Sequence, residues 1–153
     1  MRTKRTRGLN CTGQALVEMA FILPILLLLV LGIFEFGRAM YTKNSLTNAA
    51  RAAARAAVVT SSITTDSAKV KDTCDYSAEG QNGIVFSAAC NSLTPKLRTE
   101  NIFISMTAPS PLTAGSLINV KVHWDNYTTV APIYFIPQLA NITLYGETAM
   151  RYE

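Results

Sequence analysis

Gly13-Gln14-Ala15-Leu16-Val17-Glu18, preceded by Arg2, Lys4, Arg5 and Arg7 and followed by the uncharged run Met19 to Phe34, is the stretch on which the fold of this chain turns. The run holds 16 residues, about 24 Å of helix at 1.5 Å per residue, against a hydrocarbon core of about 30 Å. Spanning that core draws in the turn Gln14 to Val17 and brings Glu18 to the hydrocarbon, where an ionisable group costs about 2.5–3.5 kcal/mol. A cut after Gly13 would put a charged amine on Gln14 and make Glu18 the fifth residue of the shortened chain. An amine cannot easily fold back onto a side chain one turn along its own helix. A neighbouring chain displaced along a common axis can bring its amine there, and the pair neutralises both charges. The plainer alternative is a signal anchor whose Glu18 snorkels to the interface.

Gly-x-x-x-x-Glu opening a hydrophobic segment resembles the processing motif of type IV pilins and pseudopilins, which a membrane-embedded aspartic peptidase cuts on the cytoplasmic side. The longer run from Gly13 through Pro24, Glu35-Phe36-Gly37-Arg38 and Leu46-Thr47-Asn48-Ala49-Ala50-Arg51 is similar to the TadE-like pseudopilins of bacterial tight-adherence (Flp pilus) systems. The likeness is dense over residues 13 to 57 and returns faintly in Ala149 to Glu153, similar to that family's closing strand. Met19 departs from it, because the residue after the glutamate is often aromatic in the family. The resemblance implies a non-enzymatic minor pilin or pseudopilin. Its cleavage residue is Gly13, its new amine Gln14 and its inter-subunit partner Glu18. Its implied partners are the prepilin peptidase, other pilin subunits and the inner membrane, and the function it implies is surface attachment through the assembled pilus.

The formal charge of +4 invites a nucleic-acid reading until it is located. Four of the 14 basic residues precede Gly13 and none of the ten acidic ones does, so residues 14 to 153 carry ten of each sign and are neutral. A basic flank before an apolar segment instead places residues 1 to 13 in the cytoplasm and the rest outside. The bulky and charged Phe34-Glu35-Phe36-Gly37-Arg38, where small residues are needed, argues against ordinary signal-peptidase cleavage. A lipoprotein reading of Leu9-Asn10-Cys11 fails because the apolar region follows the cysteine. The expected organisation is a leader over 1–13, a transmembrane helix over 14–37, its extracytoplasmic extension over 38–59 and one small α+β domain over 60–153.

Alanines crowd the stretch Ala49 to Ala57 around Arg51 and Arg55, so Gln14 to about Val59 reads as one helix of roughly 70 Å, bent or opened at Pro24. The two arginines, four apart, read as a solvated stripe, and Glu35 and Arg38 as an i,i+3 pair. Thr60 to Thr65 ends the helix. Asp66 to Asp72 reads as the start of a short helix capped by Asp66, and Glu79-Gly80-Gln81-Asn82-Gly83 as a turn. Strict alternation over Ile118 to Asp125 predicts a half-buried strand; Ile102, Ile104 and Met106 give a second, and Ile142 to Met150 a third. Three strands with an apolar face need a cover, which the projecting half of the helix supplies, giving a pilin-like α+β plan. The proline-bracketed Val130 to Pro137 is expected to fold over a sheet edge as core.

Cys74 and Cys90 lie on the side where oxidation is available. A disulfide between them, closing 15 intervening residues, would contribute about 3 kcal/mol; two separate buried thiols are the alternative. No catalytic, metal or cofactor motif accompanies them. His123, the single histidine, stands on the polar face of an expected strand with no companion ligand, and Asp72 and Asp75 lack the ordered oxygens of a calcium loop. No small-molecule substrate or nucleic acid is implied. Two other functional readings remain: an uncleaved signal-anchored envelope protein with a binding outer domain, and a secretion-system pseudopilin.

Overall fold

The computed structural model describes residues 12–128 and 142–153. Helix α1, Thr12–Val59, is unbroken over 48 residues and continues through Pro24. Its two halves differ in what they touch. From Gly13 to Phe34 every side chain is exposed, whereas from Leu46 onward one stripe is fully buried: Leu46, Ala49, Ala50, Ala53, Ala54 and Ala57. Spacings of three and four residues keep that stripe on one side of the helix. Asn44, Asn48, Arg51 and Arg55 take the other side, exposed. The helix stops at Thr60, whose hydroxyl donates to the Ala56 carbonyl at 2.7 Å, and Ser62 turns the chain with a φ of 63°.

The stripe lies on a four-stranded antiparallel sheet of order β1-β2-β3-β4, with β1 Asp66–Lys69, β2 Ile102–Thr107, β3 Leu117–Tyr127 and β4 Ile142–Arg151. Its rows run Ile102–Trp124–Leu144, Ile104–Val122–Gly146 and Met106–Val120–Thr148. Alternation alone puts these residues on the helix side and leaves Phe103, His123 and Tyr145 on the other. Helix and sheet meet closely because both offer small residues. A Cβ built on Gly146 would stand 2.3 Å from the Thr47 nitrogen and 2.5 Å from the Leu46 carbonyl carbon.

Two expectations are corrected here. Residues 66 to 69 form the edge strand β1 rather than a helix. They pair Asp66 with Met106 through Lys69 with Phe103, and the Val70 amide extends the contact to the Ile102 carbonyl at 2.7 Å. The pleated edge of β2 offered more backbone hydrogen bonds than an isolated helical turn could. Gly80, expected within a turn, instead opens helix α2, Gly80–Ser92, at a φ of 57°. Gly83 is there for contact, since a Cβ would come 2.1 Å from the Tyr76 carbonyl oxygen. Val85, Phe86, Ala89 and Cys90 of α2 enter the core beside α1, so the sheet has two covering helices where one was expected. A short helix α3, Pro95–Arg98, leads into β2.

Cys74 and Cys90 are joined by a disulfide with Cα atoms 5.5 Å apart, tying the loop before α2 to its last turn. Tyr76 sits inside this loop, nearly inaccessible, edge-on to Phe86, and its hydroxyl donates to the Lys69 carbonyl at 3.0 Å. Val130 to Pro137 lies outside the described residues.

Candidate functional site

Gly13, Gln14 and Glu18 occupy the first turns of α1, all exposed. The helix carries Glu18 about 7.5 Å along the axis from Gly13, five rises of 1.5 Å. Leu16, Val17, Met19 and Phe21, its neighbours along the chain, are themselves exposed. Among the described residues nothing of this chain forms an ion pair with Glu18. The end of α1 thus presents one carboxylate in an apolar sleeve, the arrangement that favours a cationic partner brought by another molecule.

The sleeve is long and uninterrupted on one side only. Between Met19 and Thr42 the polar side chains, tyrosine aside, are Glu35, Arg38 and Thr42, and the domain covers them. Glu35 is 8% exposed and Thr42 4%. Arg38 approaches Glu35 at 3.4 Å, an i,i+3 pair. Its guanidinium also donates to the Thr128 carbonyl and lies 4.9 Å over the ring of Tyr127. Tyr127 is in turn edge-on to Trp124 at 5.1 Å, and burial pushes its hydroxyl above the usual tyrosine range.

Strict alternation would send Tyr127, an odd-numbered residue, to the outer face of the sheet. A register irregularity between Trp124 and Tyr127 turns it inward, so that both aromatics point at α1. Sequence reasoning reached the Glu35–Arg38 pair but missed Tyr127. The only sequence signal for it was the aromatic close behind Trp124 where the alternation ends.

The far pole is different in character. An open groove of about 570 Å³ between the end of α1 and the loop after β2 is lined by hydroxyls of Ser61, Ser62 and Ser110, the ring of Tyr152, and an apolar floor including Ile63 and Leu112. No charged side chain lines it. On the outer sheet face His123 stacks on Phe103 at 5.6 Å, with Asp125 at 3.8 Å. Asp75 accepts the Ser77 amide at 3.0 Å, which holds its carboxyl below the usual range. Lys71 donates to Glu79 at 2.8 Å, and that bond holds its ammonium above the usual value. Among the described residues no three His, Cys, Asp or Glu side chains converge where a metal could sit.

The candidate site is therefore the helix itself: its exposed apolar half, Glu18 near one end, and an alanine stripe seated on the domain at the other. Residues 13–55 match the family model described as TadE-like protein. This segment is similar to TadE-like proteins. The match covers the exposed half of α1, the Glu35–Arg38 pair and most of the alanine stripe, and stops before the groove and the sheet. No curated protein and no solved structure matches the chain. The match spans 43 of the 153 residues and is consistent, at the level of the family, with a pilus-associated minor pilin.

Proposed function

We propose that this chain is a minor pilin or pseudopilin of a tight-adherence pilus, held in the inner membrane by α1, cut after Gly13 by a prepilin peptidase, and then built into the pilus. The observation that carries the reading is that the TadE-like match, residues 13–55, takes in the exposed apolar half of α1 with Glu18 five residues past Gly13. The Gln14 amine of one subunit meets Glu18 of a neighbour shifted along the shared axis, and each supplies the charge the other needs in a water-poor setting. The domain rides on the far half of the same helix, so subunits stack through α1 and display the sheet and groove outward.

The test is the N-terminus and intact mass of the protein from its host's membranes, beside a peptidase-deficient strain. A chain starting at Gln14 only where the peptidase is present supports the reading. A chain starting at Met1 in both strains makes the protein an uncleaved anchored domain. Glu18→Leu separates processing from assembly: it is expected to be cut as usual and to enter pili poorly. Normal incorporation of that variant would remove Glu18 from the mechanism.

A further inference from the structure

The uncharged run Met19 to Phe34 is about 24 Å long, too short for a hydrocarbon core of about 30 Å. Burial by the domain removes the shortfall. Glu35, Arg38 and Thr42 face Tyr127, Thr128 and the sheet, while Ile33, Phe34, Phe36, Met40 and Tyr41 stand outward. Phe36 is 69% exposed, Met40 43% and Tyr41 62%. The first charged side chain on that outward side is Lys43. Met19 to Tyr41 spans about 35 Å on the same count, enough for the hydrocarbon core, and leaves Glu18 at one rim and Lys43 at the other.

We propose that the bilayer boundary on the domain's side lies at Tyr41 to Lys43 and not at Glu35, and that the domain docks on that leaflet through its Trp124–Tyr127 end. The occupant of the exposed Phe36, Met40 and Tyr41 surface, before any assembly, is lipid. Three observations point to lipid over a soluble partner. The surface is continuous with the exposed apolar helix below it, with no polar break on the outward side. Tyr41, 62% exposed, stands at the rim of that surface, where amphipathic aromatics settle in the headgroup layer. Arg38 has a route out of the acyl region, its guanidinium leaning onto Tyr127 and the Thr128 carbonyl. The inward turn of Tyr127 by the strand irregularity thereby serves to shield Glu35 and Arg38 from hydrocarbon.

The inference rests on α1 spanning a membrane, and the experiment separates the two. Trp124 is the single tryptophan. The full chain is placed in phosphatidylcholine vesicles whose acyl chains carry bromine either near the headgroup or near the bilayer centre. Shallow bromine is expected to quench Trp124 strongly and deep bromine weakly. No quenching by either, with the near-ultraviolet circular dichroism of the folded domain intact, overturns the docking. Single cysteines in a Cys11→Ser background then place the boundary. Phe36→Cys and Met40→Cys are expected to react with a membrane-impermeant maleimide at least about tenfold more slowly than Asn48→Cys, as Leu27→Cys does. Phe36→Cys and Met40→Cys reacting as fast as Asn48→Cys, with Leu27→Cys protected, overturns the proposal alone. Leu27→Cys reacting equally fast overturns the membrane span and the proposal with it.

Discussion

Gly146→Ala sets two well-understood effects against each other, and the structure decides which wins. Glycine in a strand interior is normally a weakness, and alanine there commonly adds about 0.5–1 kcal/mol by restricting the unfolded chain. Here the new methyl would meet the Thr47 nitrogen at 2.3 Å and the Leu46 carbonyl carbon at 2.5 Å. Both obstacles are backbone of α1 and cannot rotate away. The helix must retreat by about 1 Å, loosening Leu46, Ala49, Ala50 and Ala53 against β3 and β4 together. Overpacking typically costs about 1–3 kcal/mol, and a clash with helix backbone belongs at or above the top of that range. A net loss of about 3 kcal/mol corresponds to a drop of about 12–24 °C in Tm for a domain of this size. The assay is thermal and urea unfolding of the full chain in detergent, read by Trp124 fluorescence. Gly37→Ala serves as control: a Cβ there meets nothing within 4 Å, and the helix is expected to gain about 0.5–1 kcal/mol or hold level. An unchanged or raised midpoint for Gly146→Ala would refute the close helix–sheet contact.

Three further outcomes are expected. Reduction of Cys74–Cys90, or Cys90→Ala, should cost about 3 kcal/mol in urea unfolding, and an unchanged midpoint would deny the loop closure its role. Arg38→Ala should cost about 1–3 kcal/mol, less than a wholly buried pair because Arg38 is partly exposed, and Arg38→Lys should restore under half of it, since an ammonium cannot both lie flat on Tyr127 and reach Thr128 and Glu35; equal stability of all three forms would contradict this. Lys71, held up by its bond to Glu79, and Tyr76, pushed up by burial, bind their protons more tightly folded than unfolded. Their contribution is therefore intact below about pH 10 and lost as pH rises through the folded values. The urea midpoint should hold up to about pH 10 and fall above it, with a flatter fall in Tyr76→Phe; a flat profile for the parent chain above about pH 10 would refute it.

The helix and the last three strands were legible because each carries its own period: alanines and apolar residues at three and four, then alternation over Ile118 to Trp124. What was misread lay where a local signal served a tertiary purpose. Gly80 and Gly83 look like turn residues, yet one admits the chain into α2 at positive φ and the other makes room for the Tyr76 carbonyl. Asp66 looks like a helix cap, yet its segment pairs with β2, and its carboxylate accepts from Ser67 and Asn82. At the proposed site, Gly13, Gln14 and Glu18 lie within one short stretch of sequence, so a motif is enough to nominate them. Tyr127 could not be nominated in that way, because its direction depends on a strand irregularity 89 positions from Arg38.

The continuity of α1 has a mechanical consequence. A pull on the exposed half of α1 is axial, and it reaches the domain through the buried alanine stripe along the other half of the helix, seated against the sheet. Contacts loaded in parallel must yield together, whereas contacts loaded from one end open in succession. The helix–sheet seam is therefore oriented to bear tension in shear. Helix α2, tied by the disulfide to the loop before it, packs beside α1 through Val85, Phe86, Ala89 and Cys90 and so shares that load.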